Sequence, residues 1–225
     1  MTTLSLFEPL EELDGIYIAH KSSLRCTAIK LTDGSLCLFS PVLGLNDQAK
    51  ESLLALGDVS YLLAPNHYHN KGLLEYSMAF PNAIVCAPEN AQARLTKMTG
   101  LTFASLEPLR NMLPPEISII KPYGLKNGEI WLQYKTNIVT SWFVVDAFGG
   151  VKMTDTSVRT NKLDYLKTFP NFGIKNKPEY RDWLLKILDT QAPSMIVPCH
   201  GAIMTNDTLS TDISTLIVEL FGDTS

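Results

Sequence analysis

Two histidines lie two residues apart in a segment typical of ligand binding. His67 and His69 follow the β-rich run Val59–Leu63, in a stretch whose proline and asparagines predict a loop. Loops beyond the carboxyl ends of strands commonly bind ligands in α/β folds. Two imidazoles spaced in this way can bind one divalent cation, although a loop histidine pair by itself is more often an ordinary surface feature.

Two further donors follow other predicted strands. Asp146 ends the apolar run that begins at Trp142, and His200 follows the run Ser194–Val197. Divalent ions in proteins commonly combine imidazole nitrogens with a carboxylate oxygen. The sequence therefore predicts a site that could hold a divalent ion such as zinc, iron or manganese. Its candidate ligands are His67, His69, Asp146 and His200.

The order of these pieces resembles the metallo-β-lactamase superfamily, in which a His-x-His-x-Asp-His motif precedes a third histidine, a strand-end aspartate and a late histidine. His67 and His69 match the first half of the motif, Thr140–Asp146 matches the strand-end aspartate, and Pro198–Gly201 matches the late histidine. The resemblance covers about residues 14 to 205. It implies an α+β fold, a four-layer αββα sandwich, and we expect a single domain over residues 1–225.

A closer likeness is to a divergent, uncharacterised branch of the same superfamily. It is carried by Ala64–His67, Phe80–Pro88 and Ser141–Asp146, which occur in that order. This likeness implies a fold more strongly than it implies a substrate.

The chain departs from the superfamily's motif at two adjacent positions and lacks a further ligand. Lys71 and Gly72 stand where the motif has aspartate and histidine, and no histidine lies between Asn70 and Cys199 to act as the third one. In the complete family site these ligands bind two metals, and the strand-end aspartate bridges them. The incomplete motif therefore implies at most one metal.

A lysine in place of the motif aspartate also changes the electrostatics. Two unit charges about 4 Å apart near a protein surface repel by about 4 kcal/mol, and a divalent ion roughly doubles this energy. Two possibilities remain open. Either Lys71 points away and one ion binds, or its ammonium takes the vacated metal position near Asp146, so that no cofactor is bound.

Two classes of function follow from these possibilities. With one metal, the chain is a divergent hydrolase in which Asp146 and Lys71 are the catalytic candidates and Tyr68 and Asn70 contact the substrate. Without a metal, it is an inactive relative whose pocket binds a small polar or anionic ligand, or a protein partner, through charge-assisted hydrogen bonds. A small-molecule ligand is expected in either case.

Hydrophobic periodicity and turn residues predict the elements that carry these side chains. Two strand-rich halves, each followed by helices, predict two sheets with helices outside them. Strands are predicted at Ile16–Ala19, Leu24–Lys30, Leu36–Phe39, Val59–Leu63, Ala83–Ala87, Ile117–Ile120, Glu129–Lys135, Ile138–Val145 and Ser194–Val197. Helices are predicted from Asn46 or Asp47 to Leu56, and over Leu73–Phe80, Glu89–Lys97, Glu179–Leu188 and Asp207–Phe221, with irregular connections at 99–115 and 151–177.

Composition argues against two kinds of partner. The formal net charge of -4 gives no general attraction to nucleic acid or to an anionic membrane. No apolar stretch approaches the roughly 18 residues needed to span a bilayer, and the N-terminus has no signal-like apolar run. We therefore expect a cytoplasmic protein with free cysteines, and the sequence does not predict its oligomeric state.

Overall fold

The computed structural model describes residues 3–149 and 159–222, and these residues contain two mixed sheets of six strands each. Each sheet belongs to its own compact unit, residues 1–115 and residues 116–225. The prediction of a single domain remains a prediction.

The elements of the first unit connect its sheet through helices. The strands are β1 (Glu8–Pro9), β2 (Ile16–Lys21), β3 (Leu24–Lys30), β4 (Leu36–Phe39), β5 (Val59–Leu63) and β6 (Ile84–Cys86). The helices are α1 (Asp47–Leu56), α2 (Leu73–Ala79), α3 (Glu89–Thr99) and α4 (Glu107–Arg110).

The first sheet changes from antiparallel to parallel pairing at its centre. Its strands follow the chain order from β1 to β6, and β1 to β4 form antiparallel neighbours. Strands β4, β5 and β6 are parallel because α1 and α2 form the crossovers between them. The carboxyl ends of β4 and β5 therefore meet at one edge of the sheet, where Ser40 and the predicted histidine loop begin.

Helix α1 shows how local sequence sets an element. The side chain of Asn46 caps its amino end by accepting a hydrogen bond from the Ala49 backbone N–H at 2.9 Å. Ala49 and Leu53 bury one face of the helix, and Gly57 follows its last turn. Burial of a leucine side chain such as Leu53 contributes about 1.5–3 kcal/mol, so this packing outweighs the helix's modest intrinsic preference.

The second unit is built in a similar manner. Its strands are β7 (Ile117–Ile120), β8 (Trp131–Lys135), β9 (Thr140–Val144), β10 (Arg159–Thr160), β11 (Met195–Pro198) and β12 (Ile203–Thr205). Its helices are α5 (Phe169–Phe172), α6 (Lys177–Gln191) and α7 (Leu209–Phe221). The sheet order is β10-β12-β11-β9-β8-β7, with β9 and β11 parallel.

The core of the second unit surrounds two tryptophans. Trp131 and Trp142 are fully buried, with ring centroids 5.5 Å apart, and they cluster with apolar residues of α6 and α7 such as Leu184 and Ile213. Aromatic rings at this spacing add to the stability that burial supplies. This core supports strands β8 and β9, which carry part of the candidate site.

Most predicted elements agree with the structure to within a few residues. The short helix α4 lies within the connection predicted at 99–115, and β10 and α5 lie within 151–177. Residues 151–158 of that connection lie outside the described residues. Strands β1 and β12 were not predicted, because two or three residues are too few to show a period.

Two other expectations concern cysteines and membranes. All four cysteines, Cys26, Cys37, Cys86 and Cys199, are free and buried. Among the described residues, no helix combines the length and the apolar character that crossing a bilayer requires.

Candidate metal centre

Strand pairing in the second unit brings Asp146 and His200 together. Strands β9 and β11 are parallel, and Val144 pairs with Pro198 at their carboxyl ends. Asp146 and His200 each lie two residues beyond this pair, so both side chains extend from the same edge of the sheet. The Nε2 atom of His200 lies 3.2 Å from Oδ1 of Asp146, with exposed side-chain fractions of 24% and 6%.

A buried glutamate lies next to Asp146. Strands β8 and β9 are antiparallel with Leu132 opposite Phe143, and this register, continued beyond the strands, places Glu129 opposite Asp146. The backbone N–H of Asp146 donates to Oε2 of Glu129 at 3.2 Å, and that of Ala147 donates to Oε1 at 3.3 Å. Glu129 is only 2% exposed.

Two side chains also donate hydrogen bonds to the Glu129 carboxylate. The indole Nε1–H of Trp131 donates to Oε1 at 2.8 Å, and the amide of Asn127 donates to Oε2 at 3.0 Å. Burial and, second, the charge of Asp146 raise the pKa of Glu129 to about 7, while these hydrogen bonds act in the opposite direction. The carboxylate thus lies in a pocket of donors beside a second acid.

The histidine loop of the first unit is held by the side chain of Asn66. This residue is fully buried directly after β5. Its Oδ1 accepts hydrogen bonds from the backbone N–H groups of Tyr68 at 2.8 Å and His69 at 3.1 Å. Asparagine commonly forms such local turns because its side chain can replace a backbone acceptor.

Ser40 orients the ring of His69. Its Oγ lies 2.7 Å from Nδ1 of His69, and its backbone N–H donates to the Leu63 carbonyl at 3.0 Å. Ser40 adopts a φ of 58°, a left-handed conformation that is rare for residues other than glycine. In metal sites, a partner on one ring nitrogen typically orients the other nitrogen toward the ion.

Two of the four predicted ligands, Asp146 and His200, lie together in the second unit. Their side chains offer a carboxylate oxygen and an imidazole nitrogen 3.2 Å apart. Imidazole nitrogens with a carboxylate oxygen suit zinc or iron, so the chemistry of these donors fits such an ion. The roles of all four residues as ligands, including His67 and His69 of the first unit, remain predictions.

The other predicted site residues lie along the histidine loop. The ring of His67 contacts Tyr68 edge-on at a centroid distance of 4.3 Å, and Asn70 donates to the His67 carbonyl at 3.1 Å. The guanidinium of Arg94 lies over the Tyr68 ring, 4.8 Å from its centroid. Lys71 is exposed. The catalytic role of Lys71 and the substrate contacts of Tyr68 and Asn70 remain predictions.

Gly72 leaves no room for the histidine of the superfamily motif. A Cβ atom at this position would lie 2.4 Å from the Pro41 carbonyl oxygen and 3.0 Å from the Leu43 backbone nitrogen. Real Cβ atoms essentially never approach other heavy atoms at 2.4 Å. A side chain here requires the segment after β4 to move, so the missing donor reflects the path of the backbone as well as the residue type.

Sequence reasoning did not identify three supporting residues, Ser40, Asn66 and Glu129. Glu129 had a weak signal, because an acid at the start of the apolar run Ile130–Leu132 is unusual in a buried strand. Asn66, which directly follows Pro65, indicated only a turn. Nothing in the sequence connects Ser40 with His69, since that contact depends on the pairing of β4 with β5.

The fold defined by these sheets and helices is the metallo-β-lactamase fold. Solved structures of metallo-β-lactamases match nearly the whole chain, which confirms the predicted αββα fold class. No family model matches the sequence, and no curated protein matches it significantly.

Three of these solved structures show the identity, TM-score and coverage of the matches. DIM-1 metallo-β-lactamase has 9% identity and a TM-score of 0.63, with 97% of this chain and 98% of that chain covered. FIM-1 from Pseudomonas aeruginosa, in a mono-zinc form, has 10% identity and a TM-score of 0.62, with coverages of 97% and 96%. The Flv1 flavodiiron core from Synechocystis has 10% identity and a TM-score of 0.64, with 97% of this chain but 61% of that chain covered. At such identities the likeness shows the fold alone.

Proposed function

We propose that this protein is a divergent metal-dependent hydrolase that uses one divalent ion, zinc or iron. The observation that carries the proposal is the approach of Nε2 of His200 to within 3.2 Å of Oδ1 of Asp146 at the carboxyl ends of two parallel strands. The metals named for FIM-1 and for the flavodiiron core, zinc and iron, support the choice of ion. We expect the protein to be cytoplasmic and to act on a small molecule.

A single ion is favoured over two. The motif positions that would supply further donors are Lys71, which is exposed, and Gly72, which has no space for a side chain. An exposed lysine supports the possibility in which the ammonium points away from the ligands. FIM-1 was crystallised in a mono-zinc form, so a lactamase of this fold can hold one zinc.

Metal-dependent hydrolysis would give specific roles to several side chains of this protein. When bound, a divalent ion supplies Lewis acidity toward a carbonyl or phosphoryl oxygen and toward water. Asp146 and His200, 3.2 Å apart, could either offer Oδ1 and Nε2 as ligand atoms or share a proton between these atoms as an acid-base pair. Lys71 and Tyr68 lie on the loop that carries His69, where they can contact a polar substrate.

Metal analysis of untreated protein tests this proposal. Protein purified without chelator should contain about one equivalent of zinc or iron, and His69→Ala should lose it. His20→Ala is the matched control, since His20 lies in β2 and is not among the predicted ligands, so it should leave the metal content unchanged. A metal content near zero in the wild type, unchanged on addition of zinc or iron, would refute the proposal.

One observation favours a second candidate, a metal-free protein that binds an anionic ligand. His200 and Asp146 pair directly at 3.2 Å, so each satisfies the other without an ion. The exposed cations Lys71 and Arg94 lie on and beside the histidine loop. This candidate predicts that small carboxylates or phosphates bind to metal-free protein, and that Arg94→Ala weakens their binding while the protein takes up no metal.

A further inference from the structure

We propose that Glu129 is a positioning residue of the candidate metal site, whose buried carboxylate fixes the backbone that carries Asp146. This inference rests on the proposed function. It deepens that function by naming a residue that acts through a ligand.

The Glu129 carboxylate supplies hydrogen-bond acceptors for the backbone of the segment after β9. Once β9 ends at Val144, the backbone N–H groups of Asp146 and Ala147 point to the Glu129 carboxylate instead of to a neighbouring strand. Two consecutive N–H groups bound by one carboxylate fix the local direction of the chain. The direction of the Asp146 side chain follows from that of its backbone.

The remaining donors fix the carboxylate itself. Trp131 donates to Oε1 and Asn127 donates to Oε2, so each oxygen has one donor from a side chain and at least one from the backbone. An ionised carboxylate only accepts hydrogen bonds, and the four groups described here, two side chains and two backbone N–H groups, are donors. A glutamine in its place would present its own N–H₂ group to donors on one side.

A purely structural role would not require a charged group here. Burial of an ionised carboxylate is costly unless donors surround it, and a neutral acceptor could satisfy two backbone N–H groups at lower cost. Buried acids beside other acids are typical of functional sites, where a divalent ion offsets the negative charge. The paired acids Glu129 and Asp146 are therefore better explained by a cation that binds at Asp146 than by the fold alone.

The first experiment uses metal-free protein and so does not depend on the proposed function. In Glu129→Gln, the amide protons of Asp146 and Ala147 should move upfield in the NMR spectrum and exchange with solvent at least about 10-fold faster, because charge-assisted hydrogen bonds are lost. The Cys199 amide, which donates to the Val144 carbonyl at 2.9 Å, is the internal control and should not change. Unchanged Asp146 and Ala147 amides would overturn the inference.

The second experiment measures zinc affinity by titration. Loss of an outer-shell partner typically weakens metal binding about 10–100-fold, and we expect a loss in this range for Glu129→Gln. Denaturation midpoints measured in parallel separate this loss from a loss of folding. A variant with wild-type zinc affinity would contradict the inference, whereas absence of zinc binding in the wild type would refute the proposed function instead.

A matched tryptophan pair keeps the inference testable if Glu129→Gln does not fold. Trp131 and Trp142 are both fully buried neighbours, but only the Trp131 indole donates to Glu129. Among the described residues, Nε1 of Trp142 has no hydrogen-bond partner. Trp131→Phe should therefore weaken zinc binding by at least about 3-fold more than Trp142→Phe, in the direction expected for an outer-shell partner. Equal affinities in the two variants would overturn the inference.

Discussion

The two segments that carry the candidate ligands are supported in different ways. Asp146 lies in a buried segment at the end of β9, and the ionisable side chain of Glu129 binds its backbone. His69 lies in a half-exposed loop after β5, and the neutral side chains of Asn66 and Ser40 hold it. One segment depends on a buried acid with four donors, and the other depends on a few neutral hydrogen bonds.

This difference corresponds to where the chain departs from the His-x-His-x-Asp-His motif; the missing third histidine is a separate departure. Lys71 and Gly72 both lie in the half-exposed loop, whereas the strand-end aspartate is kept. An exposed position such as Lys71 can change its side chain at little cost to folding. The segment with Asp146 has less freedom, because each change there leaves a buried donor or acceptor without its partner.

The largest expected effect tests whether the half-exposed loop tolerates substitution at every position without loss of stability. Gly72→Ala should lower the free energy of unfolding by about 2–3 kcal/mol, because its Cβ atom would overlap the Pro41 carbonyl. Urea denaturation measures this change. Lys71→Ala, one residue away and exposed, is the control and should remain within about 0.5 kcal/mol of the wild type. Equal stability of the two variants would show that the backbone moves away without cost.

An intermediate effect is expected where the loop depends on one buried amide. Asn66→Ala should lower the free energy of unfolding by about 1–2 kcal/mol, because two backbone N–H groups lose their acceptor. Asn70→Ala is the matched control. Its side chain donates one hydrogen bond, to the His67 carbonyl, in a less buried position. If Asn70→Ala is as destabilising as Asn66→Ala, the loop does not depend on Asn66 in the way described.

The smallest effect on stability is expected at Ser40. Ser40→Gly removes the hydroxyl near His69 but relieves the left-handed backbone, so the free energy of unfolding should stay within about 0.5 kcal/mol of the wild type. Zinc affinity should nevertheless fall about 10-fold, because the imidazole loses its orienting partner. Ser22→Gly is the control, since Ser22 has a similar φ of 55° and lies in the turn between β2 and β3. A change of zinc affinity that is equal in both variants would assign the effect to the backbone.

Much of the framework could be predicted from local patterns. The bounds of β3, β4 and β5 agree with the prediction residue for residue, because β-branched and apolar runs end there at clear turn residues. Asp146 and His200 lie together because each follows one of two paired strands, and the strand ends were visible in the sequence.

The supporting residues could not be predicted, because their partners are set by strand register. Glu129 lies opposite Asp146 only because β8 and β9 pair as they do, and Ser40 reaches His69 only because β4 and β5 are parallel. A shift of either register by one residue would turn these side chains to the other face of the sheet. The spacing of residues along the chain does not indicate which register two strands adopt.

The crowding at Gly72 also limits the order in which this site could change. An aspartate at position 71 would occupy an exposed position and could arise at any time without harm to folding. A histidine at position 72 could be tolerated only after the segment Pro41–Leu43 had taken another path. On any route by substitution from this chain to a two-metal site, a change in the loop after β4, at residues that bind no metal themselves, therefore precedes a histidine at position 72.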